Sequence, residues 1–91
     1  MSYELKYHPK ALKTWKKLGA TVREQFKEKL KERLKNPRIS GDRLHGHKDL
    51  YKIKLRAAGY RLVYHVDDGE VVVMVVAIGK REKNQVYLQV E

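Results

Sequence analysis

Lys52, Lys54, Arg56 and Arg61 are the residues whose types and spacing could do chemistry: four cations placed to share one surface. They lie in Leu50-Tyr-Lys-Ile-Lys-Leu-Arg-Ala-Ala-Gly-Tyr-Arg-Leu-Val-Tyr64, which alternates apolar and cationic residues, pauses at Ala57-Ala58-Gly59, and alternates again. Period-two alternation on both sides of a Gly-containing break predicts a β-hairpin with one buried face. Tyr51, Ile53 and Leu55 take that face, and Lys52, Lys54 and Arg56 take the other. An even turn, with Ala58-Gly59 at its tip or running from Ala57 through Tyr60, pairs Arg56 with Arg61 and Lys54 with Val63. A register one residue out would carry Arg61 to the opposite side and break up the row. Like charges crowded on a rigid sheet destabilise the free protein, so the row predicts an anionic ligand.

The whole chain leans the same way. Twenty-one Lys and Arg against eleven Asp and Glu give a net charge of +10 over 91 residues. That balance favours a phosphate backbone or a strongly acidic protein partner, and fast steered association with either. With 42% apolar residues the chain is globular despite 35% charged ones, and its length suits one domain, 1–91, with one core. The absence of cysteine excludes disulfides and thiolate metal sites. The longest apolar run, Val71 to Ile78, is far below the ~20 residues that span a bilayer, and the N-terminus shows no signal-peptide pattern. The expected location is cytoplasmic, with no membrane partner.

The elements that must position the cations follow from periodicity. Ser2 to Tyr7 alternates and predicts a first strand. Pro9 opens a helix with Ala11, Leu12, Trp15 and Leu18 at helical spacing, and Gly19 stands as its stop. Thr21 and Glu24 have capping-box spacing for a second helix. Its stripe is Val22, Phe26, Leu30 and Leu34, and Asn36-Pro37 ends it. Arg38 to Asp49 reads as a polar loop. The hairpin strands, Tyr51–Arg56 and Tyr60–Val66, come next, followed by an Asp67-Asp68-Gly69 turn. Val71 to Ile78 is uninterrupted and β-branched, as a strand covered on both faces in the middle of a sheet would be, with Gly79 ending it. A short C-terminal strand or helix is expected over Gln85 to Glu91. The fold class is α+β: an N-terminal strand and a helical hairpin packed on one face of a mainly antiparallel four-stranded sheet. The open face carries the cations over an apolar floor.

Several stretches together resemble one family. They are Ala11-Leu12-Lys13 with Trp15 and Lys17-Leu18-Gly19, Thr21 to Gln25, Asn36 to Ile39, Tyr51 to Arg56, Gly59 to Tyr64, and Gly79-Lys80-Arg81-Glu82 with Val86-Tyr87. The chain is similar to the RelE-type mRNA interferase toxins of the RelE/ParE toxin–antitoxin superfamily over essentially its whole length. The resemblance implies a microbial-RNase-like fold and cleavage of mRNA in the ribosomal A site beside 16S rRNA. It also implies neutralisation by a RelB-like antitoxin, with operator DNA bound only through the antitoxin complex, and no cofactor. By motif position it implies catalytic roles for Lys52, Lys54, Arg61, Arg81 and Tyr87. His45, Arg56 and Lys80 are expected as further RNA contacts. His45 stands where the family's best-known member has an arginine, and a histidine is largely neutral near pH 7.

That residue set is unusual for an RNase. Metal-free cleavage must deprotonate a 2′-OH, stabilise a pentacoordinate phosphorane and protonate the leaving 5′-oxygen, giving a 2′,3′-cyclic phosphate. Arginine holds its proton, so Arg61 and Arg81 fit phosphate binding. Lysine is a poor base at its ordinary pKa of about 10.4, but neighbouring cations lower that value. Lys52 or Lys54 is therefore the base, and the other is acid or stabiliser. Tyr87 would stack on a base or hold the 2′-OH. His45 and His47 lack partners for a metal site, and Trp15 belongs to the core. Two alternatives stand beside the interferase: a ParE-like gyrase inhibitor without enzymatic activity, and a non-catalytic RNA- or ribosome-binding module.

Overall fold

Alternating Leu5 and Tyr7 start the chain in extended form, and the computed structural model, which describes residues 2–80, places β1 at Glu4–Tyr7. Pro9 opens α1 (Pro9–Lys17), where its missing N–H costs nothing. His8 is the N-cap, its Nδ1 accepting from the backbone N–H of Lys10 at 3.3 Å.

Two expectations fail at the junction of the helices. α1 ends at Lys17 with Leu18 as C-cap, and Gly19 has an ordinary φ of −62°; it is the N-cap of α2 (Ala20–Lys35) rather than a stop. Because α2 already begins at Ala20, Thr21 lies inside the first turn and cannot share a reciprocal cap with Glu24. The cap has no side-chain hydrogen bond, and Glu24 pairs with Lys27 along the helix instead. Asn36 ends the helix as expected. The predicted stripe also holds, with Phe26 and Leu30 buried and Val22 and Leu34 packed at the margin of the core.

The remaining strands are β2 (Leu50–Leu55), β3 (Tyr60–Asp67) and β4 (Val72–Lys80). The sheet order is β1-β4-β3-β2. β4 is central, as its unbroken apolar run requires, although it continues through Gly79 to Lys80. β2–β3 and β3–β4 are antiparallel, while β1 lies parallel to β4. Trp15, Phe26 and Leu30 pack onto Tyr51, Ile53, Leu55, Leu62, Tyr64, Val73 and Val75, so both helices cover one face. This is the expected α+β architecture. The tail from Gln85 to Glu91 lies outside the described residues.

The hairpin register is two residues from the expected one. Lys54 opposes Arg61 and Leu55 opposes Tyr60, so Arg56 leaves the strand and joins a four-residue turn with Ala57, Ala58 and Gly59. Gly59 has φ +72°, a conformation that costs other residues. Parity survives the slip, so Arg61 stays on the side of Lys52 and Lys54.

The loop 38–49 is less polar in structure than in sequence. It contains a one-turn 3₁₀ helix (Ser40–Asp42) and buries Leu44. Arg43 bridges Tyr51, and the Leu44 N–H donates to the Leu50 carbonyl at 2.9 Å, which covers part of the exposed edge of β2.

Candidate active site

The open face is read most directly as rungs across the sheet. The first rung is Lys54, Arg61 and Gly79; the second is Lys52, Val63 and Ala77; the third is Leu50, His65, Met74 and Lys6. A bulge between Val63 and Tyr64 makes this possible, because the extra residue Val76 lets Ala77 and Met74 face the same side. Val63 and Ala77 are fully buried beneath Leu44, with Leu50 and Val76 around them, and they form the expected apolar floor.

The first two rungs bring Lys52, Lys54 and Arg61 together. Lys52, the desolvation of its own site, Arg61 and Arg56 all push the Lys54 ammonium below the ordinary lysine value, and Asp42 opposes them. Arg56 contributes from the turn, exposed, rather than from the strand. Lys54 and Arg56 also border a groove whose other wall is Gln25, Glu28, Lys29 and Glu32 of α2.

Other expected residues fall elsewhere. His45 is exposed in the turn just after Leu44, whose N–H donates to the Leu50 carbonyl at the opposite end of β2 from Lys54. Lys80 pairs with Tyr60, whose neighbours Leu62 and Tyr64 face the helices, so the register does not bring it into the row. Arg81 and Tyr87 lie outside the described residues. His8 and His65 line a shallow pocket with Lys10, Thr14, Leu50, Met74 and Val76. Among the described residues, no three His, Asp or Glu side chains gather as a metal-holding set.

The residues that hold the row in place were missed by sequence reasoning. The Arg33 guanidinium donates through Nη1 to the Lys52 carbonyl (3.3 Å) and the Tyr64 hydroxyl (2.9 Å), and through Nη2 to Asp42 Oδ2 (2.6 Å). Tyr64, fully buried, donates in turn to the Pro37 carbonyl at 2.6 Å. Arg38 makes a second hub, donating to Asp49, Asp68 and the Tyr51 hydroxyl, while Tyr3 donates to Asp68 at 2.6 Å. These ties join partners 9 to 65 positions apart in sequence. No local spacing announces them.

A small α+β domain whose open sheet face gathers lysines and an arginine over an apolar floor is the form of a type II toxin of the RelE/ParE class. The pattern of the ParE toxin of the type II toxin–antitoxin system parDE matches residues 5–85, and the chain belongs to this RelE/ParE toxin family. It is 58% identical to the mRNA interferase toxin RelE of Escherichia coli K12 over 87 residues, covering 96% of this chain and 92% of that protein. A doubly arginine-substituted E. coli RelE in the free state superposes with a TM-score of 0.91 at 55% identity, covering 98% of this chain and 94% of the other. E. coli RelE in the intact RelBE toxin–antitoxin complex matches at TM-score 0.84 and 57% identity, over 87% of this chain and 96% of that one.

Proposed function

We propose that this chain is an mRNA interferase, the RelE toxin of a RelBE-type module, that cleaves mRNA on the ribosome through its lysine–arginine face. The carrying observation is the shared face of Lys52, Lys54 and Arg61 in a chain so similar to an mRNA interferase. Lys54 is the base, because its neighbours disfavour its charged form. It takes the 2′-OH proton, the 2′-oxygen attacks phosphorus, and the bond to the 5′-oxygen breaks. Arg61 and Arg81 hold the phosphoryl oxygens, Lys52 stabilises the developing charge and gives a proton from its own ammonium to the leaving 5′-oxygen, and Tyr87 orients the nucleotide. The product end is a 2′,3′-cyclic phosphate.

A set this poor in groups titrating near neutrality needs its substrate held in line, and the ribosome supplies that by bending the mRNA. The toxin acts in the cytoplasm, with the ribosome as platform and a RelB-like antitoxin as inhibitor. No helix among the described residues is long and apolar enough to cross a membrane.

The test offers naked mRNA and programmed ribosomes to the purified chain. Cleavage of the programmed ribosome alone is expected; equal cleavage of both removes ribosomal assistance from the mechanism. The family pattern also covers ParE toxins, so the same chain is expressed in cells and mRNA is mapped by primer extension. Cuts within codons support the interferase. DNA-damage signals without cuts identify a gyrase poison, and translation arrest without cuts identifies a binder. Arg61→Ala is expected to abolish cuts and leave the melt nearly unchanged.

A further inference from the structure

Among the described strands β2 lies at the edge of the sheet, with β3 on one side, and it carries both candidate lysines. Its outer margin is tied by a charged pair reaching in from two other elements. Arg33, on α2, donates to the carbonyl of Lys52 itself, which lies between the side chains of the row. The same guanidinium grips Asp42 at the end of the 3₁₀ turn. The Arg43–Tyr51 bridge is antiparallel, so Asp42 falls level with Lys52 at the edge of the row. Both members of the pair are largely shielded, their side chains 16% and 30% exposed.

We propose that Arg33 and Asp42 are a positioning pair for the cleavage site: Arg33 clamps the edge strand at the Lys52 carbonyl, and Asp42, level with Lys52, holds that clamp and sets a carboxylate beside the row. Neither touches the RNA in this scheme; both act through the lysines, and the proposal rests on Lys54 serving as base. The groups around Lys54 divide by element. Lys52 on β2, Arg61 on β3 and Arg56 in the turn favour its neutral form, while Asp42 favours the charged one. Glu28, Lys29 and Glu32 on α2 border the same groove. Arg33 limits how strongly Asp42 acts, because its own positive charge lies 2.6 Å from that carboxylate. Removing Asp42 and removing Arg33 should therefore move Lys54 in opposite directions, which a purely structural ion pair would not do.

The experiment follows Lys54 by NMR in the intact chain carrying ¹³C-labelled lysine, alongside the pH profile of cleavage on programmed ribosomes. Asp42→Asn keeps the shape and a hydrogen-bond acceptor for Arg33 but removes the charge. Lys54 should then titrate at lower pH, and the cleavage rate at pH 6 relative to pH 9 should rise roughly twofold or more as the free base becomes more abundant. Arg33→Gln leaves Asp42 unopposed, so the titration should move to higher pH and that ratio should fall. Arg33→Lys restores positive charge without the planar fork, so it should return the titration toward wild type while turnover stays reduced.

Thermal melts confirm that each variant is folded at the assay temperature. Titrations unchanged in both Asp42→Asn and Arg33→Gln, or moved in the same direction, overturn the pair's role. Titrations that move as expected while the cleavage profile stays fixed uphold the pair and reject Lys54 as base, so the two readings fail separately.

Discussion

Replacing Tyr64 by Phe removes one oxygen from the centre of the protein and should destabilise it by about 2–3 kcal/mol. The hydroxyl makes two bonds: it donates to the Pro37 carbonyl at 2.6 Å and accepts from Arg33 at 2.9 Å. The first is a neutral bond, worth about 1 kcal/mol net, and the second involves a charged donor, worth about 1.5–3 kcal/mol. Part of the second is recovered because Arg33 keeps Asp42 and the Lys52 carbonyl. Ring packing is unaffected, since Phe retains the stack on Tyr51, with centroids 5.8 Å apart and planes at 17°. In urea the midpoint should fall by about 2 M with an unchanged slope, and the melting temperature should fall by about 10–20 °C. Cleavage measured well below the melt should persist, because the Tyr64 ring lies on the helix-covered face. A loss below about 0.5 kcal/mol would mean that water replaces the hydroxyl at both partners, and the anchor under the lysine row would then not be Tyr64.

Other outcomes are equally specific. Lys54→Met should lower cleavage at least ~100-fold without lowering the melt. Wild-type Lys54 titrates below its unfolded value, so its charge opposes folding below the folded pKa, and that opposition is relieved as pH rises toward the unfolded value. Wild type should therefore gain stability between neutral pH and about pH 10 relative to Lys54→Met, as paired melts at both pH values will show. The hydrogen bonds from Tyr3 and Arg38 hold Asp68 below the usual carboxylate range. Its contribution is thus complete above the unfolded pKa of about 3.9 and lost as pH falls through the folded value; Asp68→Asn should flatten that part of an acid titration. Val71, with φ +57°, should give about 0.5–1 kcal/mol of stability when changed to Asn, which tolerates the left-handed region, measurable by urea midpoint.

The hairpin and the central strand were legible because alternation and an unbroken β-branched run are local signals. Parity of the hairpin was legible as well, and it placed Lys52, Lys54 and Arg61 together. The register was not, since a turn of two residues and a turn of four leave the same alternation, and the structure gives Arg56 to the turn. Gly19 and Thr21 misled for a related reason: the composition of a junction does not say which residue caps which helix. The parallel pairing of β1 with β4 joins the two ends of the described chain, and no short-range pattern encodes it. Arg33, Asp42 and Arg38 carry no local signal of their roles, because their partners are brought near only by folding.

That pairing of first strand with last has a consequence for how the toxin is made. β4 supplies the middle of the sheet and is the last described element to leave the ribosome, so β1 waits unpartnered throughout synthesis of everything between. Contacts this far apart in sequence form late. A nascent chain stopped before Val72 holds a hairpin and two helices with no β4 to join them to β1.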